Sequence, residues 1–72
     1  PLDEKQKEKI AEIETKYKAK IAERKIFLEK SVDDALAKGD QAEAEEARKI
    51  LAQEISSLEE KAESEKDKIR NR

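Results

Sequence analysis

Residues 33–43 read Asp33-Asp34-Ala35-Leu36-Ala37-Lys38-Gly39-Asp40-Gln41-Ala42-Glu43 and contain the only glycine of a 72-residue chain. Glycine reaches positive φ without a steric penalty, so Lys38-Gly39-Asp40 spells the end of one helix, a left-handed cap and the N-cap of the next. The Asp40 carboxylate can accept from the orphan amides of the following turn, and Glu43 stands three residues later, at the spacing of a capping box. The only proline is Pro1, where it interrupts nothing. One reversal therefore divides two long helices, predicted over 3–38 and 41–70 with the turn at Gly39-Asp40. At 1.5 Å per residue these are rods of ~54 and ~45 Å.

Outward from the turn, apolar residues recur along both arms. Ile10, Ile21 and Val32 form one eleven-residue series in the first arm, with Tyr17 and Leu28 a second. In the second arm Ala44 and Ile55, then Ala47, Leu58 and Ile69, repeat the spacing, and from Leu51 onward a heptad fits equally well. An eleven-residue period winds weakly right-handed and a heptad left-handed, so the pair is expected to be nearly straight. A single unbroken helix fails an angular test. At ~100° per residue Leu51 lies about 140° around the axis from Leu28, which would split the stripe between two faces. Folding back at Gly39 repairs it and sets Ile10 against Ile69, Tyr17 against Ala62, Ile21 against Leu58, Leu28 against Leu51, Val32 against Ala47 and Ala35 against Ala44. Arg24 then falls opposite Ile55, and Lys66 opposite Ile13, where long stems can cover the seam while their charges reach water. The same register pairs Lys16 with Glu63 and Lys20 with Glu59, a basic stretch of the first arm beside an acidic stretch of the second. The fold class is all-α, a two-helix antiparallel coiled-coil hairpin making one domain over 1–72, which reads as a segment of a larger protein.

Composition supports one seam and no more. Half of the residues are charged, and only fifteen are large and apolar, too few for a layered core. Charge near balance, with 17 basic and 19 acidic residues, together with regular apolar spacing, argues for order rather than disorder. The chain has neither Cys nor His. Thiolate and imidazole metal sites, Cys nucleophiles and Ser-His dyads are thereby excluded, and Ser31, Ser56, Ser57 and Tyr17 have no base beside them. No enzyme activity, catalytic residue, metal or cofactor is expected. The longest apolar run, Ile26-Phe27-Leu28, is far short of the ~20 residues that span a bilayer, so a soluble chain is expected, of unspecified compartment.

Two apolar residues, Phe27 and Ile50, are not needed by the seam. Each points about 100° away from it, and in an antiparallel pair both fall on the same flank of the rod. With Ile26, which faces almost directly outward, they are the candidate partner-binding residues. Gly39, Asp40 and Glu43 are the candidate turn and cap residues. Lys16, Lys18, Lys20, Arg24, Lys25 and Lys30 form a basic cluster, read as a solvated and internally paired face, because acidic residues of the second arm lie beside it and net charge is −2.

Short stretches carry resemblances. Leu2-Asp3-Glu4-Lys5, Ala22-Glu23-Arg24, Lys38-Gly39-Asp40, Ala42-Glu43-Ala44 and Glu54-Ile55 with Leu58-Glu59 look like pieces of the tRNA-binding arm of seryl-tRNA synthetase, which implies an RNA-binding helical arm. Leu28-Glu29, Asp40, Glu43, Ala44 and Arg48 are similar in spacing to the UVR hairpin of excision-repair proteins, which implies protein–protein contact. Neither covers the chain, and no family is assigned on them. The expected function is a non-catalytic interaction or spacer module that offers its tip, residues 33–46, or its Phe27/Ile50 flank to a protein partner or to the rest of a parent protein. The alternatives are an RNA-binding arm, against which the net charge argues, and a self-assembling unit in which a homodimer forms a four-helix bundle.

Overall fold

The computed structural model describes residues 1–71. Two helices, α1 (Glu4–Ala37) and α2 (Gln41–Arg70), lie side by side as an antiparallel hairpin. The rod measures 53 × 15 × 11 Å, and the reversal is at Gly39, the only residue with positive φ (+75°) among those described. This is the all-α hairpin that the broken stripe requires.

The turn is tighter than its sequence suggests. Lys38 is the C-cap, so α1 ends at Ala37, one residue before the expected boundary. The Gly39 amide donates to Leu36 O at 3.0 Å and the Asp40 amide to Ala35 O at 2.9 Å. These two bonds make a Schellman motif that satisfies carbonyls the last turn would otherwise leave without donors. Asp40 then starts α2, its carboxylate accepting from the Glu43 amide at 2.9 Å. The expected capping box is therefore only half formed. The Asp40 amide that a Glu43 side chain would cap is already engaged by Ala35.

A complete box forms instead at the start of α1. Asp3 Oδ1 accepts from the Gln6 amide at 2.8 Å, and Gln6 Oε1 accepts from the Asp3 amide at 2.9 Å. Asp3 is thus the N-cap, and α1 begins at Glu4 rather than at residue 3. The amide nitrogen of the same Gln6 side chain donates to Ile69 O at 3.0 Å, across to the last turn of α2. One side chain thereby caps one helix and satisfies a terminal carbonyl of the other.

Packing follows the stripe. Val32, Ala35, Ala44 and Ala47 make a contiguous buried cluster next to the turn, where three alanines let the backbones come close. Farther along, Leu28, Tyr17 and Ile69 are buried. Ile10, Ile13, Ile21, Leu51, Ile55, Leu58 and Ala62 are half-buried, since a single seam between two cylinders cannot enclose every side chain that faces it. Lys66 behaves as expected of a residue opposite Ile13: its side chain is largely covered while its ammonium reaches Glu63 at 3.3 Å and Glu14 at 3.6 Å.

Candidate interaction surface

The seam leaves two flanks, and the charged side chains sort between them. Arg24 rises from α1 beside Ile55 and turns to one flank, where Nε meets Glu54 Oε1 at 2.7 Å and Nη2 meets Oε2 at 3.1 Å. This two-pronged geometry is the strong form of an Arg–carboxylate pair. The hydrogen bonds from Arg24 hold the Glu54 carboxyl below the usual carboxylate range, against the opposing effect of partial desolvation. The Arg24 guanidinium also lies 5.0 Å from the centre of the Phe27 ring, within cation–π reach.

Phe27 and Ile50 stand on this same flank, one turn from the Arg24–Glu54 pair along each helix. Phe27 is 60% exposed, so the ring does not fold into the groove to enlarge the core, and Ile50 is 37% exposed. Ile26 is 72% exposed but lies a further ~100° around α1, on the outer surface beyond the flank. The structure thus brings Phe27 and Ile50 to one edge and leaves Ile26 beside it. A groove of about 280 Å³ continues that edge toward the open end, lined by Lys20, Arg24, Glu54, Leu58 and Lys61. Leu36, 44% exposed in the last turn of α1, is an apolar surface residue that the stripe alone did not single out. Its position 80° from Leu28 around α1 marks it as off the seam, on the flank opposite Phe27.

Two expected ion pairs are corrected. Lys16 pairs with Glu65 at 3.2 Å rather than with Glu63, and Lys20 makes no ion pair with Glu59 among the described residues. Residues 16 and 63 are level along the rod, as are 20 and 59, but rotation about the two axes puts the members of each couple on opposite flanks. Glu63 pairs instead along its own helix with Arg70 at 2.8 Å and with Lys66. Glu65 also accepts from the buried Tyr17 hydroxyl, and that bond, followed by the one from Lys16, depresses its carboxyl. The same bond raises the Tyr17 phenol.

The basic cluster is divided by these contacts. Lys16 and Lys20 flank the Tyr17 ring at 5.0 and 5.2 Å from its centre. Lys18, Lys25 and Lys30 are exposed and make no ion pair among the described residues. No helix among the described residues is long and apolar enough to cross a membrane. Compared with known proteins, the chain matches no family model, no curated protein and no solved structure to a significant degree.

Proposed function

We propose that the hairpin is a non-catalytic interaction module whose working surface is the flank bearing Phe27 and Ile50, carried on a stiff two-helix rod. One observation carries the reading: the only phenylalanine of the chain keeps 60% of its surface in water although a seam lies one residue away at Leu28. A large aromatic that contributes little to its own fold is the side chain type most enriched where protein surfaces meet. Arg24 beside it, fixed on Glu54 and stacked on the ring, completes the aromatic–arginine pairing typical of such centres.

Replacing Phe27 and Ile50 together by Glu tests this. Both are exposed, so helicity by circular dichroism should be unchanged. Binding should be lost, read either as capture of a protein on the immobilised chain or as self-association in solution. A double variant that keeps both at wild-type level removes the flank as a working surface.

A further inference from the structure

Around α1, Lys20, Glu23, Lys30 and Asp34 stand at positions −7, −4, +3 and +7 from Phe27. At ~100° per residue all four fall within about 60° of the Phe27 direction, so they line one outward edge with the ring at its midpoint. All four are exposed, and none has an ion-pair partner within its own chain among the described residues. Lys20 and Asp34 carry opposite charges, stand at equal distances from Phe27 along α1 and lie ~20° to either side of it, so a reversed copy sets each against the other.

Resting on the reading of the flank as a binding surface, we infer that its occupant is a second copy of this chain, laid antiparallel across the Phe27 edge about a two-fold axis through that residue. The axis sets Phe27 against the partner copy's Phe27 and Asp34 against Lys20, a couple that symmetry makes twice around a central aromatic contact. Asp34 and Lys20 each lie ~10.5 Å from Phe27 along the axis, so they match in level, and both stay close to the line of contact. Lys30 comes level with Arg24, whose charge is already held by Glu54. Lys38, brought over Lys16, meets a charge already neutralised by Glu65. Ile50 and Ile26 border the ring on its two sides.

The parallel arrangement is disfavoured on the same charges. It would lay α1 of one copy over α2 of the other at equal height, with Asp34 near Glu46 and Lys20 near Lys61, which already shares a groove with it. Like charges would then meet both near the turn and along the lower rod.

Sedimentation equilibrium of the full chain from micromolar to millimolar concentration, with a charge swap, is the test. The wild type should populate a species of twice the 8.3 kDa chain mass. D34K and K20D should each weaken the dimer at least about tenfold, because each turns two attractions into two repulsions. The double variant D34K/K20D should regain the wild-type constant to within about threefold, since the inverted charges are again opposite. Circular dichroism confirms that all remain helical. A wild type that is monomeric throughout overturns the self-pairing, as does a double variant no better than the single ones. If the wild type is monomeric but captures another protein through Phe27, the self-pairing falls and the flank stands. If F27E/I50E changes neither readout, both fall.

Discussion

Asp40 serves two helices with different atoms, its amide closing α1 on Ala35 and its carboxylate opening α2 on Glu43. Such sharing is possible only because Gly39 turns the backbone left-handed between them. A Cβ built on Gly39 would meet no atom within 4 Å, so substitution there is opposed by backbone conformation alone. Gly39→Ala should cost ~1 kcal/mol, and Gly39→Asn less, since Asn tolerates the left-handed region better. Urea unfolding of the two variants measures the difference, and an equal cost would point to crowding rather than φ. Gly39 and Asp40 were legible in the sequence because each is a residue type with a distinctive local role. Gln6 was legible only by half: Asp3 and Gln6 stand at the spacing of a capping box, whereas the other partner of Gln6 is a backbone carbonyl 63 positions away, which no local pattern encodes.

In the two helices, sequence periodicity carried the seam, because a stripe that fails to continue through one axis must be folded to stay continuous. It did not carry the flanks. Level along the rod follows from the register, whereas side requires the rotation of each helix, and the expected Lys16–Glu63 pair was lost on that second coordinate. Phe27 posed the same problem: its angle placed it on a flank without setting how much of the ring stays in water, and contact with Arg24 on the outer edge accompanies its exposure. The charge pairs that did form give the helices a pH response. Glu54, Glu63 and Glu65 have carboxyls depressed by hydrogen bonds, chiefly from Arg24, Arg70 and Tyr17 respectively. A depressed carboxyl contributes stability above its unfolded value of about 4.3, and that contribution disappears as pH falls through the folded value. Thermal melts should therefore drop on acidification below about pH 4.3, and E54Q/E65Q should show a shallower drop from a lower plateau. Parallel acid limbs in the two proteins would assign the response elsewhere. Tyr17 acts in the opposite direction: its raised phenol contributes stability below about pH 10 that is lost as pH rises through the folded value.

For the molecule as a whole, length comes from two helices and cohesion from one seam. The chain has no cysteine, so introduced thiols can be labelled cleanly. Nitroxides at Lys9→Cys and Lys68→Cys should report a separation below ~20 Å, as neighbours across a helix pair whose axes lie 8–10 Å apart do. Labels at Lys9→Cys and Lys38→Cys should report ~44 Å, the rise of 29 helical residues. A long distance in the first pair would mean an opened rod. Gln6 and Ile69 locate the beginning of α1 and the finish of α2 side by side at one extremity, and this has a mechanical consequence. Tension applied between those two points peels the arms apart one rung at a time, so the protein yields easily as a tether. Compression from turn to base loads every rung together, and under that load it is a strut.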